Sequence, residues 1–237
     1  MVPSLQLPFS FNVHRLQNDL DRVNSEAWKL HFNPRDYEGD WSAIALYAPG
    51  GDPAVIQSHH TKEMEILPTP LLSACPYLQE VVEQFQCPIL SARLMKLDPG
   101  AVIVPHRDYA SGYEDGMFRI HIPIRTNDRV EFILNGQRLD MKAGECWYTN
   151  VNFEHSVENN GESPRDHLVI DGARNQWSDQ LFFSLGPREE LLAKEEYTYN
   201  REMIIQMIDA LRQHKDPAYD VHIENLLNQL DQLDSTE

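Results

Sequence analysis

Phe118-Arg119-Ile120-His121-Ile122-Pro123-Ile124 alternates apolar and polar side chains as far as Ile122, the period of a strand with one face buried. The flanking chain carries the same texture. Upstream, Ile89 to Leu97 reads as a strand, Asp98-Pro99-Gly100 as a turn, and Ala101 to Val104 as a second strand ending at Pro105. Downstream, Val130 to Leu134 and Gln137 to Met141 flank Asn135-Gly136, a pair suited to the primed two-residue turns of hairpins. Lys142-Ala143-Gly144 is a further turn, followed by strand-like runs at Glu145 to Thr149, His155 to Glu158 and His167 to Asp171.

Several short strands separated by turns, with no helix between them, predict an antiparallel sandwich or barrel of the cupin or jelly-roll kind. Outside this block the period changes. Val13, Leu16, Leu20, Val23, Ala27 and Leu30 recur at helical spacing and predict a helix over 12–30. Asn33 to Asp40 reads as a loop, Trp41 to Tyr47 as a strand, and Ala48 to Pro53 as another loop. His59-His60 reads as a solvated loop pair, since adjacent histidines diverge on either regular element. Leu72, Tyr77, Leu78, Val81, Val82 and Phe85 predict an amphipathic helix on the outside of a sheet. The acidic segment from Arg188 to Leu233 is helix-forming and broken by Pro217, with apolar stripes at Ile204, Ile205, Met207, Ile208 and Leu211 and at Ile223, Leu226, Leu227, Leu230 and Leu233. The expected organisation is a mainly β domain with flanking helices over 1–187 and a helical extension over 188–237, whose stripes pack on the barrel or between subunits.

At 237 residues and 41% hydrophobic, the chain can bury one sizeable core. A formal net charge of −17 excludes duplex nucleic acid and anionic membrane surfaces as expected partners, since both require basic surface. Anion binding must then rest on a few placed arginines. Three cysteines without paired spacing (Cys75, Cys87 and Cys146) predict reduced thiols rather than a disulfide framework or a zinc knuckle. No basic-then-apolar leader precedes Pro8, and no run of about 18 apolar residues occurs. A soluble, cytoplasmic protein is the expectation.

The chemistry centres on Pro105-His106-Arg107-Asp108-Tyr109. In an extended strand His106 and Asp108 share a face. A metal held by them needs a further ligand from a strand folded alongside, and His155 in Phe153-Glu154-His155-Ser156-Val157 is the best candidate. Two imidazoles and one carboxylate with open positions form the ligand set of non-haem Fe(II) oxygenases. A protein-kinase reading of His-Arg-Asp fails, because the expected Asn five positions after the Asp is Tyr113 and no glycine-rich phosphate loop precedes it. Arg165, ten positions after His155, can stand beside the metal, and a guanidinium grips a distal carboxylate such as that of 2-oxoglutarate bidentately. Arg119 and His121 share one face of their strand and could donate to a carboxylate or serve structure. Trp41, Arg93 and Arg107 are candidates to line the pocket, Trp41 equally a candidate for the core.

These residues resemble the aspartyl/asparaginyl β-hydroxylase family, which includes bacterial proline cis-hydroxylases. The matching pieces are Arg93 to Gly100, Pro105 to Tyr109, Phe118 to Pro123, Gly144 to Tyr148, Asn152 to Asn159 and Arg165 to Asp171. The resemblance implies a double-stranded β-helix enzyme that hydroxylates an unactivated carbon of an amino acid, a derivative or an Asp/Asn-type side chain. It would use Fe(II), O2 and 2-oxoglutarate and release succinate and CO2. By position His106, Asp108 and His155 would hold iron, Arg165 would anchor 2-oxoglutarate, and Arg119 and His121 would meet cosubstrate or substrate carboxylates. Asp108 matches the members that keep a full triad. The helical repeats and membrane anchor of the animal enzymes have no counterpart here, so a small-molecule substrate is expected over a protein. A homo-oligomer through the C-terminal helices is compatible with the stripes. The competing expectation is a cupin-like metal-binding or sensing protein without turnover; a plain β-sandwich module would bind no metal.

Overall fold

The computed structural model describes residues 1–23, 27–57 and 64–194, and beyond them 201, 204, 205, 208, 223, 224, 226–228, 230 and 231. The chain runs β1 (Ser4–Ser10), α1 (Val13–Asp21), β2 (Lys29–Leu30), β3 (Tyr37–Glu38), β4 (Trp41–Pro49), β5 (Ile66–Pro68), α2 (Pro76–Val82), β6 (Ile89–Leu97) and β7 (Val102–His106). It continues β8 (Met117–Arg125), β9 (Val130–Leu134), β10 (Gln137–Leu139), β11 (Glu145–Thr149), β12 (His155–Asn159), β13 (Arg165–Ala173), α3 (Gln176–Leu185) and α4 (Arg188–Leu192).

Two antiparallel sheets result. The larger has the order β1-β11-β8-β13-β6-β4-β2, with β5 also on β4, and the smaller has the order β10-β9-β12-β7-β3. From β6 to β13 the chain passes repeatedly between the sheets, only β9 and β10 being joined within one as a hairpin. That is a double-stranded β-helix, as the strand spacing led one to expect. The Asn135-Gly136 turn has positive φ at both residues, 50° and 72°, which gives the hairpin its twist-matched turn.

Strand parity sorts the larger sheet into two faces. Ile44, Leu46, Leu94, Phe118, Ile120, Ile122, Cys146, Tyr148, Leu168 and Ile170 pack outward against Leu16 and Leu20 of α1, Leu78 and Val82 of α2, and Phe182 of α3. The opposite parity faces the smaller sheet: Trp41, Ala43, Ala45, Met95, Leu97 and Val169 meet Ile103, Phe132, Leu134 and Val157. The inner positions left over are polar, namely Ser91, Arg93, Arg119, His121, Arg165, His167 and Asp171, and all are buried. A buried polar row on one parity, against an apolar row on the other, locates the functional interior.

Several expectations change, among them the Asn33 to Asp40 loop, within which Tyr37–Glu38 pairs with β7 as β3. The helix expected over 12–30 ends at Asp21, and Lys29-Leu30 pairs instead with Ala43-Ser42 at the sheet edge. The helix expected from Leu71 is a short 3-10 turn at Leu72–Ala74 followed by α2. Its N-terminus is capped from another helix, where the buried Asp19 carboxylate accepts from the backbone N–H groups of Tyr77 (2.6 Å) and Leu78 (3.0 Å). A further change is β1, on the β11 edge, which the sequence left unassigned, as it did α3.

The chain divides into two compact units, Met1–Lys194 and Glu195–Glu237. In the second, Ile204, Ile208 and Leu226 are buried with Ile223 and Leu230 against them, so the two apolar stripes meet each other. Met207, Leu211, Pro217 and Leu233, like His59-His60, lie outside the described residues. No described helix is long and apolar enough to cross a membrane.

Candidate metal centre

His106 ends β7 and His155 opens β12, and the antiparallel register sets them opposite one another with ring centroids 4.2 Å apart. Asp108 lies beyond the strand end rather than on it. Its backbone N–H donates to Val151 O at 2.9 Å, which turns the carboxylate back toward the histidines. One ligand atom from each of His106, Asp108 and His155 lies within 4.8 Å of the other two, and this is the one such trio found among the described residues.

The donor chemistry of the trio suits a divalent metal. His106 Nδ1 lies 2.8 Å from Val104 O, and His155 Nδ1 lies 3.1 Å from Phe153 O. A carbonyl oxygen only accepts, so each Nδ1 carries the proton and each Nε2 keeps its lone pair for a ligand. Burial, with His106 beside it, pushes His155 down to about 4, so it is neutral at physiological pH. Burial opposes the charge on Asp108, but Arg119 and His155 outweigh it and hold its carboxyl below the usual range. The cluster therefore offers the Nε2 atoms of two imidazoles, of which His155 is held neutral, and one anion.

Arg119, expected either to donate to a cosubstrate or substrate carboxylate or to serve structure, donates to two carboxylates of the chain itself. Nη1 reaches Asp108 Oδ2 at 2.6 Å, while Nε and Nη2 reach Asp171 at 2.7 and 3.2 Å. His121, expected beside it in the same role, is buried and stands edge-on to Phe132 and to His167, both at 5.6 Å between centroids.

Arg165 opens β13 and is 3% exposed. Its Nη2 lies 3.1 Å from His167 Nδ1, its Nε has no hydrogen-bond partner, and among the described residues no carboxylate lies within ion-pair distance. Burial lowers its pKa to about 9, and the charge of neighbouring Asp166, which makes no ion pair with it, offsets only part of that. The guanidinium sits 5.5 Å from the Phe132 ring. Phe132 is the register partner of Val157, whereas His155 is that of Leu134. Arg165 thus stands one inward-facing row from the trio, about 7 Å along the strands. Beyond it a cavity is lined by Asn127, Phe132, Met141, Lys142, Arg165 and His167.

Sequence reasoning gave no role to Asp171, Ser91, His167 or His31. The first three share the inner parity of Arg93 and Arg165, the signal that could have found them. His31 lies one position past the end of the expected helix. Its ring stacks on Trp41 at 3.6 Å and closes the edge of the barrel, and burial followed by the Arg93 charge pushes it down to about 3. Arg93 points inward, as expected of a pocket residue, with Nη2 on Asp171 at 3.1 Å. Arg107 donates to Asn152 O at 3.3 Å.

A family model described as aspartyl/asparaginyl beta-hydroxylase matches residues 10–175, and the chain belongs to that family. Among characterised proteins it is similar to an L-proline cis-4-hydroxylase of Rhizobium meliloti (strain 1021), 29% identical over 166 residues that cover 68% of this chain and 57% of that protein. The chain therefore spans little more than half the length of that relative. It is also similar to an L-proline cis-3-hydroxylase of a Streptomyces species, 25% identical over 79% of this chain and 71% of that one. Among solved structures, a Pseudomonas putida prolyl-4-hydroxylase superposes with a TM-score of 0.48 at 12% identity, over 73% of this chain and 92% of that one.

Proposed function

We propose that this protein is an Fe(II)- and 2-oxoglutarate-dependent dioxygenase that hydroxylates an aliphatic carbon of a free amino acid or a close derivative. The observation that carries the proposal is the trio His106, Asp108 and His155 one row away from a buried arginine with no carboxylate of its own. The two curated relatives, both named as L-proline hydroxylases, point to a small cyclic amino acid as the first substrate to try.

His106 and His155 would hold the metal through Nε2, and Asp108 through the oxygen not engaged by Arg119. Bound there, iron would supply the activation of O2 that an unactivated C–H bond requires. The chain's own groups do the rest. Arg165 takes the distal carboxylate of 2-oxoglutarate, and neutral His167 accepts from its Nη2 and so sets the plane of the guanidinium. A buried cation without an anion is costly, so the dicarboxylate completes the charge balance of the interior. Phe132, Val157 and Leu134 exclude water between the two anchoring points. Arg93, Trp41 and His31 line the side on which a substrate would stand.

The test is oxygen-dependent succinate formation by Fe(II)-loaded protein with 2-oxoglutarate, compared across a panel of free amino acids and amides. Stimulation by L-proline or another amino acid, with one hydroxylated product per succinate, is the expected result. Iron bound tightly with no succinate above the metal-free control would contradict the proposal and favour a binding protein without turnover.

A further inference from the structure

Asp171 is fully buried at the middle of an alternating chain of charges. Its Oδ1 accepts from Arg119 Nε at 2.7 Å. Its Oδ2 accepts from Ser91 Oγ at 2.8 Å, Arg93 Nη2 at 3.1 Å and Arg119 Nη2 at 3.2 Å. Arg119 carries the chain onward to Asp108 Oδ2. The sequence of groups is Arg93, Asp171, Arg119, Asp108, two cations and two anions in alternation. Sheet register builds it, because Asp171 is the direct cross-strand partner of Ser91 on one side and of Arg119 on the other.

This chain decides which oxygen of Asp108 is free. Oδ2 is taken by Arg119, while Oδ1 lies 3.7 Å from His106 Nε2. A carboxylate held in that way ligates through one oxygen and leaves the remaining positions of a bound metal open. Arg119 can hold Asp108 at a fixed angle only if its own plane is fixed, and Asp171 fixes it by gripping Nε and Nη2 as a fork. Burial alone would leave Asp171 protonated, yet Arg119 and Arg93 hold its carboxyl far below the usual range.

We propose that Asp171 is a positioning residue for the metal site, which acts through Arg119 to orient Asp108 as a one-oxygen ligand. The proposal rests on reading His106, Asp108 and His155 as metal ligands. In Asp171→Asn the shape is kept but the charge shared by Arg93 and Arg119 is lost. The Arg119 guanidinium then loses the anion that grips Nε and Nη2, and its pull shifts toward both oxygens of Asp108, in competition with the metal. Partners behind a ligand of this kind typically change metal affinity by about 10–100-fold.

The experiment is calorimetric titration of the full-length, metal-free chain with Co(II), an oxygen-stable probe, for the parent, Asp171→Asn, Asp108→Ala, the double variant and His106→Ala. Asp171→Asn should weaken Co(II) binding by about 10–100-fold, and it should add nothing once Asp108 is already alanine. A purely structural role would weaken both backgrounds equally, and that result overturns the proposal, as does unchanged affinity in Asp171→Asn. Should Asp171→Asn not fold, Ser91→Ala removes one neutral hydrogen bond to the same carboxylate. A loss of about 5-fold is expected there, and unchanged affinity would overturn the proposal. His106→Ala separates the two levels: if it too leaves Co(II) binding unchanged, the metal site itself fails, whereas losses in His106→Ala and Asp108→Ala with none in Asp171→Asn defeat only the role of Asp171.

Discussion

Arg165 is the residue on which the proposed chemistry leans most. Its guanidinium is buried, hydrogen-bonded to a neutral histidine and unmatched by any carboxylate within ion-pair distance among the described residues. Arg165→Ala should raise the dissociation constant for 2-oxoglutarate by roughly 30–1,000-fold, the loss of about 2–4 kcal/mol of charge-assisted pairing. It should leave Co(II) affinity within a few-fold of the parent. Arg165→Lys keeps the charge but not the fork and should fall between the two. Equal 2-oxoglutarate affinity in parent and Arg165→Ala, read by quenching of tryptophan fluorescence, would remove Arg165 from the site. The grouping of His106, Asp108 and His155 was legible from the two-residue spacing of the first pair and the strand-like run around His155, although Asp108 lies past the strand end. Asp171, Ser91 and His167 were not singled out, since their roles depend on which residues face them across β6, β13 and β8. Register of that kind is a tertiary fact that no single run of sequence carries.

Among the elements, β8 and β11 hold the inner wall together through a tight connection at Gly144. This glycine has φ +81°, donates its N–H to Pro123 O at 2.9 Å and accepts from Phe11 N at 2.8 Å. A Cβ there would lie 2.5 Å from Phe11 O and 2.9 Å from a methyl of Val13. Gly144→Ala is therefore expected to cost at least about 2 kcal/mol from backbone strain and displacement of β1. In the thermal unfolding temperature that is a drop of roughly 4–8 °C; an unchanged midpoint would show that β1 is not tied to the wall as described. The strands from β6 to β13 were legible because period-two alternation and Asn-Gly or Pro-Gly turns are local signals. Limits at Ile89–Leu97, Val130–Leu134 and Glu145–Thr149 agree to the residue. The N-terminal third was less so. Helical periodicity ran on past Asp21, but pairing of Lys29-Leu30 with β4 won over propensity, and Asp19 capping α2 across a gap of 58 residues leaves no trace in sequence.

For the molecule as a whole, the interior imposes a pH dependence. His31, His121, His155 and His167 are all buried, and burial lowers each below 6.5. A histidine with a lowered folded pKa contributes its full stability above the unfolded value near 6.5, and loses it as the unfolded chain takes up protons below that. Asp166 acts oppositely. Burial raises it to about 6, so it stabilises the fold as pH falls from 6 toward the ordinary carboxylate range. At about 1.4 kcal/mol for each of the four histidines over the pH unit below 6.5, less just under 1 kcal/mol for Asp166, the metal-free protein should lose about 4.5 kcal/mol between pH 7.5 and 5.5. Urea unfolding at the two pH values measures this directly, and equal stability would mean that the histidines are not buried neutral. The C-terminal unit shows the reverse of the N-terminal case. Its stripes were plain in the sequence, but an amphipathic stripe does not say what covers it, and Ile204 and Leu226 cover one another.

The central claim is that His106, Asp108 and His155 present a metal to a dicarboxylate held at Arg165. The most direct measurement is anaerobic addition of 2-oxoglutarate to the Fe(II)-loaded protein, followed in the visible spectrum. The account predicts a weak charge-transfer band from the chelated keto acid, saturable in the parent, shifted to much higher 2-oxoglutarate concentration in Arg165→Ala and absent in Asp108→Ala. Iron bound through His106 and His155 with no band at any 2-oxoglutarate concentration would contradict it.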